Sequence, residues 1–467
     1  MYRPFLPALK GEASGPILTG EKISARRNID QPQEYVTIRL PFSAKGEEAK
    51  RLLVTARLFK LCVHKLLDEA KSNPRILHLP KFSYMKHGWN VCKDTFPNLK
   101  YARAAAWLVY SMFVSIKALA SLDKRIKKRL NIEEARPEDM LKRIELSDWL
   151  MFQSEADSAF EGNYSIRLIN VNTVSVVTLT YQDIEERKRK LKKGKKKPKI
   201  SKRIELKVKV SKKYKKLLEE LVALAKNKQI GYTAKVYIKD WNVDRNGNLR
   251  VYGEVQIGIP YWLYLKHMKR FAKPLGNNIA GIDFNTDRLN LAILKPDGTL
   301  VETKTFWFEE VTAKGCLKER ARTKIMQAIH NALKYAYYHG VSVVAIEDPE
   351  VIGLLRYLWL RNKDRKHRNW NWKVGTFRSS YIKEIARKAE LYGMKVISVD
   401  PKGTSNSEEH EEVMRKYGLD RHSASAVLIA KRAVEVFRNE KFIISPGERN
   451  HGGKHEGDSP GRNYNGS

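Results

Sequence analysis

Cysteine is nearly missing from these 467 residues: Cys62, Cys92 and Cys316 stand far apart, with no CxxC spacing. That excludes a disulfide framework and a zinc knuckle built from cysteine pairs, and leaves buried or inert thiols. Long apolar runs are lacking too. None approaches the roughly 20 residues that span a bilayer, and the opening MYRPFLPALKGEASGP has no signal-peptide core. A soluble intracellular protein with no membrane partner is the expectation. Acid is scarce: 52 Asp and Glu face 89 Lys and Arg, for a net charge of +37. Such an excess repels itself unless a polyanion neutralises it, and nucleic-acid phosphates do so with release of counterions. A membrane surface is the rival polyanion, but no long basic amphipathic helix stands out as an anchor.

What is there divides into textures. At this length more than one core is expected. Residues 1–44 read as a polar arm with a first strand at Tyr35–Leu40. GPILTGEK at Gly15–Lys22 is no phosphate loop, because its Lys is displaced and neither Ser, Thr nor a helix follows. Over 45–155 the period is helical: Ala49, Leu52, Leu53, Ala56, Phe59, Val63, Leu66, Leu67 and Ala70 share one face, ringed by Lys50, Arg51, Arg57, Lys60 and Lys65. Helices are also expected over Ala102–Ser121, Asp123–Leu130 and Arg136–Phe152. Over 156–275 the texture is β, with a hairpin turn at Trp241–Leu249 centred on Asn-Gly. It is interrupted by Arg187–Arg203, where 12 of 17 residues are Lys or Arg. That run has nothing to bury and is expected as a disordered, phosphate-binding loop including Lys188, Lys192 and Lys196.

From 276 to 440 the order is three strands, helix, buried strand, basic-aromatic loop, helix, strand, helix. Three antiparallel strands followed by αβαβα is the ribonuclease H topology. Residues 441–467 read as a disordered tail. IAGIDFNTDRLNLAIL, Ile279–Leu294, is a strand, a turn and a return strand, and it sets Asp283 in an apolar strand. Either the adjoining turn satisfies that carboxylate or a cation faces it. VSVVAIEDPE sets Glu347 at the carboxyl end of a buried strand, where ligand-binding side chains of α/β sheets emerge, although a helix-capping role for Glu347 or Asp348 is the plainer alternative. Neighbouring carboxylates repel unless divalent cations lie between them. Mg²⁺ prefers oxygen ligands, and two ions about 4 Å apart can activate water at a phosphodiester. In YGLDRHSASAVLIAKRA, Asp420 sits at a helix N-cap, which capping alone would explain, and His422 follows in the first turn. After Glu347, Arg356, Arg361, Lys363, Arg365, Lys366, Arg368, Trp370, Trp372, Lys373 and Arg378 interleave cations with aromatics. Such residues either stack on unpaired bases along a phosphate track or form the core of a lid. His367 and His410 have no ligand partners at useful spacing and read as surface residues.

GIDFNTD, AIEDPE, VDPKGTS (Val399–Ser405) and DRHSASAVLIAKRA resemble the RuvC-like motifs of the TnpB (OrfB) proteins of insertion sequences, which are similar to type V CRISPR effectors. The likeness covers about 279–438. It implies an α/β multidomain protein whose RNase H-like (RuvC) mixed-sheet nuclease domain follows a helical recognition domain and a β-barrel-like wedge domain. It further implies an RNA-guided DNA endonuclease with guide RNA and target DNA as partners, acting as a monomer on its RNA in a prokaryotic, nucleoid-associated cytoplasm. Mg²⁺ or Mn²⁺, two ions, would sit on Asp283, Glu347 and Asp420, with His422 as the alternative ligand or proton relay. Two departures stand out. No Cys occurs between Asn406 and Leu419, where the family carries a zinc ribbon, so no zinc is expected. His422 stands where the last acid of the family falls. The alternative is a protein of the same fold that binds under RNA guidance without cutting, as a repressor or transposon accessory. An unguided junction resolvase is more distant, because it does not explain the long segments before residue 276.

Overall fold

The computed structural model describes residues 35–443 apart from 123, 131, 133–135, 193–201, 272, 314, 362–366 and 378. Most of the arm and tail expectations, together with Lys196, Lys363, Arg365, Lys366 and Arg378, therefore lie outside the described residues. The chain divides into two compact units, Met1–Lys269 and Arg270–Ser467.

The first unit opens with β1 (Tyr35–Lys45) and the long helix α1 (Gly46–Ser72), followed by α2 (Lys81–Cys92), α3 (Leu99–Ala120), α4 (Lys124–Leu130) and α5 (Pro137–Lys142). Strands β2 (Leu150–Ser154), β3 (Ile166–Asn170) and β4 (Thr173–Thr178) precede α6 (Tyr181–Lys192). Then come β5 (Lys202–Lys207), α7 (Lys215–Lys226), β6 (Thr233–Val243), β7 (Leu249–Pro260) and α8 (Tyr261–Met268). The nine apolar residues that mark the face of α1 are all buried, as their 3–4 spacing requires. Four strands pair in the order β1-β7-β6-β2 and three in the order β3-β4-β5. One apolar core runs from Ile38 to Leu263, so the helical and β segments expected as separate domains pack as one body.

Three local expectations are corrected. Arg136–Phe152 is not one helix. Only Pro137–Lys142 is helical, and Leu150–Ser154 is drawn into antiparallel pairing with β6, tertiary pairing overriding local period. The basic run is helical through Lys192, because Thr180 and Asp183 exchange capping hydrogen bonds and Arg187 donates to the Pro97 carbonyl at 3.1 Å. Lys202 and Arg203 open β5. Arg51 is not part of a cationic rim. It is 5% exposed, with its guanidinium on Thr178 and on Asp183 at 2.6 Å. Helix α3 is also long and apolar enough by composition to cross a membrane, but Tyr101, Ala105, Val109 and Phe113 bury it in the core.

The second unit begins with β8 (Asn278–Phe284), β9 (Arg288–Leu294) and β10 (Leu300–Trp307). Next come α9 (Lys318–Tyr338), β11 (Val341–Glu347), α10 (Pro349–Trp359), α11 (Arg368–Thr376), α12 (Ser379–Leu391), β12 (Lys395–Val399), α13 (Glu408–Tyr417) and α14 (Arg421–Ile443). Its five strands lie in the order β10-β9-β8-β11-β12. The pairs within β8–β10 are antiparallel, and β11 runs parallel to both β8 and β12. That order and those directions are the ribonuclease H topology, and the domain is RNase H-like. Strand alternation gives the sheet two faces. Ala280, Ile282, Val344 and Ile346 pack under α9 and α12, while Ile279, Val343, Ala345 and Val399 pack under α14. Gly281 lets α14 press closest: a Cβ there would lie 2.1 Å from the Ala426 carbonyl oxygen and 2.5 Å from the Ala430 nitrogen. Within the expected basic-aromatic loop, the described stretches up to Trp359 and over Arg368–Thr376 are helical, as α10 and α11. Where a zinc ribbon would fall stands α13, capped by Ser407 and ended by Gly418 at a φ of +62°.

Candidate active site

Asp283 and Glu347 lie at the carboxyl ends of adjacent parallel strands. Ile282 and Ile346 are the last paired positions of β8 and β11, so the two acids follow side by side at the carboxyl rim. Their parity places both on the face covered by α14. Asp283 is 6% and Glu347 8% exposed. Burial first, and the like charge of Asp283 second, push the Glu347 carboxyl up to about 7, against the opposing pull of Thr404 and Arg432. The Thr404 hydroxyl, itself 1% exposed, donates to Glu347 Oε1 at 2.7 Å. Thr404 belongs to a turn after β12 whose Lys402 carbonyl accepts from Arg432 at 2.7 Å.

Asp283 Oδ2 accepts from Asn285 Nδ2 at 2.7 Å and lies 3.2 Å from His422 Nδ1. Both open readings of Asp283 thus have a physical counterpart: the turn touches it, and so does a titratable ring. Helix α14 delivers His422 because Asp420 fixes its start. Asp420 Oδ1 accepts from the backbone N–H groups of His422 at 2.8 Å and Ser423 at 3.1 Å, and Oδ2 accepts the Ser423 hydroxyl at 2.7 Å. Burial works to raise the Asp420 carboxyl, but these hydrogen bonds from Ser423 and His422 outweigh it and hold it below the usual carboxylate value. Both its oxygens are engaged in capping. The structure therefore brings Asp283, Glu347 and His422 together and leaves Asp420 as the cap beneath them. Asp348, the rival cap, accepts from Glu350 N at the start of α10, which frees Glu347 from that role.

Sequence reasoning missed Asn290, Thr404 and Ser423. Asn290 is paired with Asp283 across β8 and β9, is 1% exposed, and donates from Nδ2 to Thr305 Oγ1 at 2.9 Å and Ser423 Oγ at 3.2 Å. Its Oδ1 is buried without a hydrogen-bond partner. The one signal in the sequence was an amide inside the apolar stretch LNLAIL. His410 is corrected from surface to core. It is 2% exposed and its Nε2 contacts the Arg421 carbonyl at 2.9 Å and Ser425 Oγ at 3.3 Å, tying α13 to the first turn of α14.

Among the described residues no three His, Cys, Asp or Glu side chains form a ready ligand cluster. The donors present still suit a hard divalent cation. Two buried carboxylates stand together, one pushed toward its neutral form by burial and the other's charge, and an amide oxygen beside them is unsatisfied. On α10 and α11 the cations and aromatics divide. Trp359 meets the Phe377 ring edge-on, with centroids 5.6 Å apart, and its carbonyl accepts the Trp370 indole N–H at 2.7 Å. The Arg361 guanidinium lies 4.4 Å from the Trp370 ring centroid. Trp370 and Trp372 remain half-exposed, with Arg368 and Lys373 on the same helix and Arg356 on α10. Lys188 and Lys192 lie on α6 of the first unit, Lys188 paired with Glu185 at 2.8 Å.

Fold and site together define a protein with an RNase H-like α/β domain that carries a buried acid pair on its sheet rim. The chain belongs to the SSO2105 family. The SSO2105 N-terminal domain matches residues 35–269. Two Aeropyrum pernix proteins, both described as uncharacterized, are 38% identical. The match to one spans 404 residues and 86% of each chain; to the other, 414 residues, 88% of this chain and 100% of that one. Uncharacterized protein SSO2105 of Saccharolobus solfataricus is 37% identical over 232 residues, 49% of this chain and 58% of its own. Among solved structures, a CRISPR-Cas12f ternary complex superposes with a TM-score of 0.29 at 12% identity, over 82% of this chain and 81% of that chain. T. thermophilus RuvC with a Holliday junction substrate gives 0.23 at 18%, over 35% and 96%. Superpositions that loose decide nothing about function.

Proposed function

We propose that the protein is an RNA-guided, divalent-cation-dependent DNA endonuclease of TnpB type, with its phosphodiester-cleaving site at the rim of the RNase H-like sheet. The observation that carries this reading is the convergence of Asp283 and Glu347, distant in sequence, as buried neighbours on one rim. Among the described residues their side-chain partners there are Asn285, His422 and Thr404. Asp283 and Glu347 would hold Mg²⁺ or Mn²⁺. A bound divalent ion supplies a polarised water and a counter-charge for the phosphodiester. Thr404 orients the Glu347 carboxylate, Asn285 orients that of Asp283, and His422 can hold or pass a proton at its Nδ1, beside Asp283. The cationic surplus of +37 supports a polynucleotide partner. Half-exposed Trp370 and Trp372 suit unpaired bases, and Lys188 and Lys192 suit phosphates. Guide pairing would supply sequence selection and the protein would grip backbone shape.

One observation favours a second reading. Asp420 is spent on capping and His422 takes the rim position, so the site holds two acids rather than three. A protein that binds DNA under RNA guidance without cutting fits that arrangement. The test is to purify the full chain with its RNA, sequence that RNA, and offer matching DNA with Mg²⁺. Cutting that Asp283→Ala and Glu347→Ala each abolish supports the endonuclease. RNA-dependent binding without cutting supports the second reading, and cutting of branched DNA by RNA-free protein refutes both.

A further inference from the structure

Resting on the cation-site reading above, we infer that the amide oxygen of Asn290 is the third oxygen of that site, and that Asp420, besides capping α14, serves it through Ser423 by fixing which way the Asn290 amide points. Hydrogen-bond polarity leads there. A carboxylate without its proton only accepts, so the Ser423 hydroxyl must spend its single hydrogen on Asp420 Oδ2, 2.7 Å away. Only lone pairs of Ser423 Oγ then remain for Asn290, 3.2 Å away, and the group turned to them must be the NH₂. The same NH₂ reaches Thr305 Oγ1 at 2.9 Å. Flipping the amide would set a carbonyl against a hydroxyl with no hydrogen left to give, so the chain Asn290–Ser423–Asp420 has one direction.

That direction leaves Oδ1 buried and unpaired. An unsatisfied buried carbonyl is costly and rare in a native core. Asn290 is the register partner of Asp283, and directly opposed residues hold their Cβ atoms about 5 Å apart on one face. The unpaired oxygen thus belongs to the same side of the sheet, next to the acid pair. An amide oxygen is a neutral, hard ligand of the kind Mg²⁺ and Mn²⁺ accept beside carboxylates, and a cation there would satisfy it. It would also give the acid pair a third oxygen where, among the described residues, no three side chains of the ordinary ligand types cluster. Asn290 is a ligand in this scheme; Ser423 and Asp420 are positioning residues.

The test is Mn²⁺ binding by the full-length, nucleic-acid-free protein, followed by calorimetry and by electron paramagnetic resonance of the free ion. The unaltered protein binds, and Glu347→Gln removes binding. Asn290→Leu weakens binding by about tenfold or more, Ser423→Ala by a smaller factor through the loosened amide, and Asn290→Asp tightens it, since a charged oxygen replaces a neutral one. Because Asn290→Leu can fail to fold, Asn290→Asp and Ser423→Ala are the deciding variants. Wild-type affinity in both overturns the role of Asn290 and leaves the acid pair standing. No Mn²⁺ binding by the unaltered protein overturns the site altogether.

Discussion

Replacing Glu347 with Gln should stabilise the metal-free protein at alkaline pH, although it destroys the proposed site. An unfolded chain ionises this carboxyl near 4.5, whereas the folded one holds its proton up to about 7. Between those values the native state binds more protons than the unfolded state, so stability falls as pH rises; below about 4.5 the penalty is absent, and above about 7 it is complete. The interval from 4.5 to about 7, at about 1.4 kcal/mol per pH unit, gives about 3 kcal/mol. Gln fills the same volume, can still accept from Thr404 and carries no charge to desolvate. In EDTA at pH 8, Glu347→Gln should therefore unfold about 6–12 °C above the unaltered protein in the transition of the second unit, with the two converging by about pH 4.5. Calorimetric scans across about pH 4.5–8.5 read this directly. Saturating Mn²⁺ should reverse the order, because only the unaltered protein gains from binding the ion. A Gln variant that unfolds with the unaltered protein at pH 8, or a gap independent of pH, would refute the claim that burial and Asp283 raise the Glu347 carboxyl.

Other perturbations test the frame and the partner. Gly281→Ala should cost about 3 kcal/mol or more, read by thermal unfolding, because its Cβ would meet α14 backbone at 2.1 and 2.5 Å rather than a movable side chain. Arg51→Met should cost about 3 kcal/mol, since Asp183 at 17% exposure loses its partner; a cost near zero would mean that the buried pair holds nothing. Lys188→Ala with Lys192→Ala should flatten the slope of log affinity against log salt for a nucleic acid by about 1.5, while an unchanged slope removes α6 from the interface.

The rim was legible in sequence where local chemistry contradicted itself. A carboxylate inside IAGIDF or at the end of VSVVAIE cannot be explained by burial, and the topology then brings the two together. Capping at Asp420 was equally readable, since Asp, Ser and the small residues behind it are local signals. What stayed hidden depends on partners distant in the chain. His410 looks like any polar residue on an acidic helix until Arg421 and Ser425 arrive to bury it. Asn290 acquires meaning only from Asp283 in one direction and Ser423 in the other. Strand β2 was read as helix because pairing with β6, not its own period, decides its state. Helices α10 and α11 were hidden by dense charge and aromatics, which leave no clean apolar stripe to count.

Helix α14 bears on timing. Its first turn supplies His422 and Ser423, and its body lies against Gly281, yet it is the last described element to be synthesised. A ribosome-bound chain that already displays Asp283 and Glu347 still lacks the piece that roofs them over. The acid pair therefore stays open to solvent until the last described helix has emerged and packed on the sheet.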